Sequence, residues 1–443
     1  MVDYHLVILV HGIWGNSSHL AYIEKQFNEH FEATTTTTKG DNILVYKTTT
    51  HAGYLTYDGI DINGKRISDE ILEQTQLISD SGNKVVKFSI IGYSMGGLLA
   101  RYAIGLLDAS GYFNHIEPIN YITICTPHIG VSNPQTHNLS VRIYNKVAPY
   151  MLLITGSQFF LKDKVGKDQK PLIVWMADPK SKFYAILKKF KYRSLYANVL
   201  NDKRCSWFTS FISSEDPVNS MYNRIAENIK CDYIKGYEPT IIDYSKPLHY
   251  QKQDQVAAAG GKGKGGGGGV AVNEKPNYSW FWKSLRWLKI ISSVIVYTPF
   301  WALSFIISTI VQRIKMTVRL RKYNKDLDLS NKLANLYEYH EETSLLTNFS
   351  NKLEDEQETL VEDMYDAMSW RASHSAKFPK IKLSESQKYA VDKLNTLSWN
   401  KYPIIIRHTP ATHAAAVVRH PDPTFDEGKV VVEHLLHETF RLE

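Results

Sequence analysis

Gly92-Tyr93-Ser94-Met95-Gly96 decides how this chain is read. It stands between an apolar run, Val86-Lys87-Phe88-Ser89-Ile90-Ile91, and the stretch Gly97-Leu98-Leu99-Ala100-Arg101-Tyr102-Ala103-Ile104. The first reads as a buried strand and the second as a helix. A serine between two glycines on a strand-to-helix turn is the G-x-S-x-G pattern in the setting that gives it meaning. The demand is steric. The serine sits on a sharp, strained turn, where a side chain at either flank would collide with the strand or the helix. Glycine removes both collisions and tolerates unusual backbone angles. The Ser94 hydroxyl then projects from the sheet as a nucleophile. The Met95 N–H faces the place where an oxyanion would form. A bare G-x-S-x-G is a common Gly/Ser turn; the strand, the helix and the extra Gly97 separate this one from it.

Working outward, Leu6-Val7-Ile8-Leu9-Val10 is a continuous apolar run, as a strand buried on both faces requires. It ends in His11-Gly12-Ile13-Trp14-Gly15-Asn16, a turn between glycines that leaves backbone N–H groups free. The Ile13 N–H is expected as the second oxyanion donor. His11 is read as a structural histidine bonded to backbone, and Trp14 either lines the site mouth or packs there. Ser18 to Phe31 reads as a helix, Ile43-Leu44-Val45-Tyr46 as a strand, Tyr57 to Gly64 as a loop and Ser68 to Ile78 as a helix. Asn120 to Cys125 is a strand ending in Thr126-Pro127-His128-Ile129-Gly130. Strands alternating with helices give the α/β class and a mostly parallel, doubly wound sheet. Sites in such sheets lie beyond the carboxyl ends of the strands, where all three turns fall.

Val131 to Tyr192 breaks the alternation with apolar clusters and lysines. It reads as a helical cap over an apolar site, or as an insertion that only packs on the sheet. The sheet resumes at Ser194 to Leu200, followed by Asn201-Asp202. An acid after a later strand, then a histidine after the last one, completes the chain order of such sites. Asp202 is the expected acid and Asp216 its competitor. Pro403-Ile404-Ile405-Ile406 reads as the last strand. Among the histidines of the following loop, His413 fits the general base best, His420 comes second, and His408 also lies there. His434 and His437, on a closing helix over Val430 to Phe440, are expected at the surface. No carboxylate or cysteine stands at ligand spacing to these histidines, so neither metal nor cofactor is expected.

With 443 residues, 43% of them hydrophobic, the chain can bury a large core. Cys125, Cys205 and Cys231 are odd in number and far apart, which argues against a disulfide framework. The start Met1-Val2-Asp3-Tyr4-His5 lacks a basic stretch before its apolar run, so no signal peptide is read and a cytosol-facing location is expected. The net charge of +7 is modest, and no nucleic-acid partner is expected. From Gln251 the character changes. Gly260 to Gly265 and four further glycines form a linker. Ile290 to Gln312 then carries no charge over 23 residues, long enough to cross a bilayer core of roughly 30 Å. Trp and Tyr residues stand at its entry and Pro299 near its middle. Both flanks are basic: Lys283, Arg286 and Lys289 before, Arg313, Lys315, Arg319, Arg321, Lys322 and Lys325 after. Positive charge on both sides fits a hairpin with both ends on one face. Glu338 to Asp366 is acidic, and Ser384-Glu385-Ser386-Gln387 is a capping box opening a helix to Leu397. The divisions are 1–250 (cap about 131–192), 251–279 as linker, 280–325 as membrane segment, 326–380 as acidic region, and 381–443 as the rest of the core.

Taken in order, His11 to Asn16, Gly92 to Leu98, Thr126 to Val131, Ala197 to Val199 with Asn201-Asp202, Asp216-Pro217 and Trp399 to His413 resemble the serine esterase family of lipase-like α/β-hydrolases. The resemblance covers nearly the whole chain, weakly in the cap, linker and acidic stretch. It departs at Ala414, where the family often has glycine. It implies an α/β-hydrolase fold and hydrolysis of acyl esters in glycerophospholipids, with broad head-group tolerance, at a lipid droplet or endoplasmic reticulum membrane. Neutral-lipid, lysophospholipid or protein-thioester hydrolysis is the alternative chemistry. A catalytically weak membrane adaptor on the same fold is the alternative class.

Overall fold

The computed structural model describes residues 2–34, 42–133, 139–166, 168–200, 202, 204–215, 229–246, 249–250, 307, 309–321 and 381–443. The chain forms two compact units: Met1–Gln251 with Leu329–Glu443, and Lys252–Asp328. Asp216, the glycine linker, the acidic region and most of the long uncharged run lie outside the described residues.

The larger unit runs β1 (Asp3–Val10), α1 (Ala21–Thr34), β2 (Asn42–Lys47), α2 (Ile60–Asp80), β3 (Lys84–Tyr93), α3 (Met95–Ala109) and β4 (Glu117–Ile124). Four short helices follow, α4 (Leu139–Met151), α5 (Leu153–Phe159), α6 (Leu172–Trp175) and α7 (Lys182–Lys189), in the stretch where the alternation breaks. The chain continues with β5 (Tyr192–Asn198), α8 (Trp207–Ser210), the short pair β6 (Ile229–Lys230) and β7 (His249–Tyr250), α9 (Glu385–Leu394), β8 (Asn400–Ile404), α10 (Thr412–Ala415) and α11 (Asp426–His434).

Six strands form one sheet in the order β2-β1-β3-β4-β5-β8, every pair parallel. Both faces are buried, so the strands need no polar side. Along β1, Leu6, Ile8 and Val10 enter one core with α2, α3 and α7, while Val7 and Leu9 enter the other with α1 and α11. The chain leaves β1 for β2 on one side and returns to β3 on the other. That reversal opens a crevice at the carboxyl ends of β1 and β3, the place where doubly wound sheets hold their sites.

Two differences from the sequence reading have physical causes. Ile60 to Gly64, expected as the end of a loop, belong to α2. The Ile60 N–H that opens this helix donates to Gln158 Oε1 of α5 at 2.6 Å, a cap supplied from far along the chain. Gly64 is not a turn residue; a Cβ there would lie 2.6 Å from the Tyr102 ring of α3, so glycine lets the two helices close. The capping box at Ser384 and Gln387 is formed at both of its bonds, and α9 ends at Leu394.

In the smaller unit a helix runs over 309–321. Ile310, Val311, Ile314 and Val318 are exposed on it. Among the described residues no helix is long and apolar enough to cross a membrane.

Candidate active site

The site begins with crowding. Ser94 follows β3 directly and has φ 55° and ψ −130°, a backbone conformation that costs on the order of 1–3 kcal/mol and persists only when its surroundings impose it. They do. A Cβ at Gly92 would lie 2.4 Å from the Gly97 Cα, and one at Gly96 would lie 2.1 Å from the Val10 carbonyl oxygen. The turn therefore closes only with glycine at both positions. The Ser94 N–H donates to the Ile124 carbonyl at 2.8 Å, which ties the turn to β4. Met95 is the first residue of α3, where the amide has no helical carbonyl behind it.

The loop after β1 arrives beside the turn. A Cβ at Gly12 would lie 2.7 Å from the Ser94 Cβ, so this glycine brings the Gly12-Ile13 backbone against the serine. Ile13 is partly buried. His11 is structural: its Nδ1–H donates to the Gly12 carbonyl at 3.0 Å. Trp14 is buried and packs here. Its indole N–H donates to the Tyr57 hydroxyl at 2.7 Å and its amide to Thr56 Oγ1 at 3.1 Å.

The other half of the site comes from the far strands. Asp202 follows β5, and His413 lies in α10 after β8. His413 Nδ1 and Asp202 Oδ2 are 2.8 Å apart and both side chains are buried. Asp202 Oδ1 accepts the N–H groups of Cys205 at 2.8 Å and Arg204 at 3.1 Å. Burial by itself would raise the Asp202 carboxyl. The His413 imidazole, with hydrogen bonds from it, the Cys205 amide and Asn198, outweighs burial and holds the group below the usual carboxylate range. A buried carboxylate bonded to Nδ1–H fixes the imidazole tautomer and leaves Nε2 as a base.

Two residues without an expected role bind these parts together. The Tyr93 hydroxyl, one residue before the serine, donates to the His413 carbonyl at 3.0 Å. Its ring stands 5.0 Å from the imidazole. Asn198 Nδ2 donates to the Thr412 carbonyl at 3.1 Å and reaches Asp202 Oδ2 at 3.5 Å. Tyr93 was visible only as the variable position of the pentapeptide, and Asn198 only as part of a family-like stretch.

The remaining histidines sort by burial. His420 is half exposed, 3.9 Å from Asp422, and His408 is exposed beside Glu427. His434 corrects the surface expectation. It is buried, its Nδ1 is 2.7 Å from the Tyr196 hydroxyl, and burial lowers it to about 4. Cys125 at the end of β4 also joins the group: its thiol, an Asp202 oxygen and a His413 nitrogen lie within 4.8 Å of one another. Sequence spacing hid this cluster, because the three come from three strands. Asp202 and His413 are already bonded to each other. Burial, with Asp202 nearby, raises the thiol well above its usual value.

Residues 2–215 match the family model described as "Putative serine esterase (DUF676)". The chain is 27% identical over 204 residues to "Putative lipase C4A8.10" of Schizosaccharomyces pombe, covering 45% of this chain and 25% of that protein. It is 33% identical over 202 residues to "Putative lipase YDL109C" of Saccharomyces cerevisiae, covering 45% and 28%. The chain thus matches about a quarter of the length of these relatives. Among solved structures it is similar to the product of gene lin2722 of Listeria innocua, with 14% identity and a TM-score of 0.29, covering 47% of this chain and 77% of that one.

Proposed function

We propose that the chain is a serine hydrolase of lipase type that cleaves acyl esters of glycerophospholipids at a lipid droplet surface. One observation carries the chemistry. A serine held at positive φ opens a helix with Gly12 packed against its Cβ, and Tyr93, the residue before it, is bonded to the histidine that pairs with a buried aspartate. On this reading Ser94 Oγ attacks the ester carbonyl carbon while His413 Nε2 takes its proton. The N–H groups of Ile13 and Met95 stabilise the oxyanion. His413 returns the proton to the leaving alcohol, and water then releases the acid from the acyl-serine by the same steps. Asp202 keeps the imidazole in the required tautomer. These steps draw on no metal or cofactor.

The substrate and location rest on other support. The lipase names of the yeast relatives favour a lipid ester, and the order of motifs resembles the lipid-droplet phospholipase of yeasts. The helix over 309–321 exposes Ile310, Val311, Ile314 and Val318 and carries Arg313, Lys315, Arg319 and Arg321. That composition suits a surface of anionic headgroups, each basic residue contributing about 1 kcal/mol there. Topology limits the rest. Asp202 and His413 touch across 211 residues of chain that include the uncharged run. A membrane segment there must begin and end on the same side, and a droplet monolayer, with no second aqueous face, requires the same.

Fluorophosphonate labelling and hydrolysis by the full chain across a panel of phospholipids, lysophospholipids, triacylglycerol and thioesters test the reading. Labelling at Ser94 with phospholipid preferred is the expected result. Labelling with another preference replaces the substrate; no labelling leaves the adaptor.

A further inference from the structure

Beneath the loop after β1 lies a stacked pair of histidines. The rings of His11 and His51 are 3.8 Å apart and within 11° of parallel, and both are fully buried. Carbonyl partners fix where their protons sit, because a carbonyl only accepts. His11 Nδ1–H donates to the Gly12 carbonyl at 3.0 Å, and His51 Nε2–H donates to the His11 carbonyl at 3.3 Å. The other two nitrogens, His11 Nε2 and His51 Nδ1, are buried with no hydrogen-bond partner among the described residues. Burial lowers His11 to about 4 and pushes His51 well down, so the pair is neutral. Leaving two ring nitrogens unpaired costs stability and calls for a reason.

Peptide planarity supplies one. A carbonyl and the N–H that follows it point in opposite directions. The Gly12 carbonyl is held by His11 Nδ1–H and by the Gly15 N–H at 3.1 Å. The direction of the Ile13 N–H is thereby set. One peptide earlier, the His11 carbonyl takes the His51 proton and lies against Gly96, where a Cβ would come within 2.7 Å of it. His51 is itself anchored. Thr48 donates its amide and hydroxyl to the Leu9 carbonyl of β1. Thr49 and Thr50 donate theirs to the Glu70 carboxylate of α2, at 2.7–3.3 Å.

We propose that His51 is a positioning residue for the oxyanion loop. Its Nε2–H and stacked ring hold the His11-Gly12 peptides so that the Ile13 N–H is aimed at the charge developing on the substrate carbonyl. This rests on the reading of Ser94 as a hydrolase nucleophile. The effect belongs to the transition state, so its loss lowers kcat and leaves KM.

The test uses the full chain, a soluble short-chain nitrophenyl ester, and a trifluoromethyl ketone that forms a tetrahedral adduct with an active serine. His51→Phe keeps a flat ring and removes the donor. His51→Gln puts an N–H near the Nε2 position and removes the ring. For His51→Phe the expected result is kcat lower by about tenfold, KM within twofold, and ketone affinity weaker by the same factor as kcat. His51→Gln should restore most of the loss. If His51→Phe does not fold, Thr50→Ala loosens the turn from Glu70 without touching His11, and a smaller fall in kcat at constant KM is expected. Unchanged kcat and ketone affinity in the folded variants, or His51→Gln as damaged as His51→Phe, overturns the proposal while the hydrolase reading stands. A wild-type chain that neither hydrolyses the ester nor labels at Ser94 overturns both.

Discussion

The two ends of the site are built by different means. Around Ser94 geometry is set by crowding: at Gly12, Gly92 and Gly96 an added methyl would overlap its neighbours. Around His413 geometry is set by hydrogen bonds: two amides, Asn198 and the imidazole hold Asp202, and Tyr93 holds the His413 carbonyl. A steric construction needs few partners but accepts no added atom. A hydrogen-bonded one weakens in steps as bonds are removed. Substitutions should therefore act as a threshold at the first end and as a gradient at the second.

The largest expected effect is at Ser94, the proposed nucleophile. Ser94→Ala should lower ester hydrolysis by on the order of 10⁴ or more and abolish fluorophosphonate labelling, with melting unchanged. Activity near the wild-type level would remove the mechanism. Gly96→Ala tests the threshold. Its methyl would lie 2.1 Å from the Val10 carbonyl oxygen, so little folded protein is expected by circular dichroism. Gly82→Ala is the control. Gly82 has φ +79° with nothing within 4 Å of a Cβ, so only backbone strain applies, about 1 kcal/mol. Equal damage from the two would mean that crowding is not the cause.

Asp202→Asn tests the gradient, with kcat falling by on the order of 10²–10⁴ while the fold is kept. Asn198→Ala should cost about tenfold, because it loosens the pair without removing it. If both variants lose activity equally, the second end is a threshold too.

The smallest effect on activity concerns His434. Its value is about 4 folded, against an ordinary 6.5. Between those values the unfolded chain binds a proton that the folded chain does not. The stability is thus fully present above pH 6.5 and is lost as pH falls towards 4, by at most about 3 kcal/mol. His434→Asn should shrink the difference in Tm between pH 7.5 and pH 5, with kcat within twofold. An unchanged difference would mean that His434 does not carry this part of the acid sensitivity.

The same contrast explains what was legible in the sequence. Crowding writes itself into the chain, because glycine is its only solution at Gly92 and Gly96. Strand alternation was legible because β1, β3, β4 and β5 are buried on both faces. Side chains whose meaning depends on another strand were not. His51 acquires a role only when β2 lies beside β1, and Asn198 only when β8 lies beside β5. His434 looked like a surface residue on a polar helix, yet the packing of α11 on the sheet buries it against Tyr196. The start of α2 was obscured because its cap comes from Gln158. Asp202 was preferred to Asp216 because it follows a strand directly, and His413 to His420 by its place in the loop after the last strand; their contact in space could not be read from those positions.

The distance along the chain between Ser94, Asp202 and His413 also has a consequence in time. Ribosomes add about 5–20 residues per second. The 211 residues between Asp202 and His413 therefore take roughly 10–40 seconds to make. During that interval the nascent chain carries Ser94 and Asp202 but not the proposed base His413. On the proposed chemistry it cannot attack an ester until β8 has paired with β5 and the histidine turn has docked. On that reading the order of synthesis itself delays hydrolysis until His413 has been made.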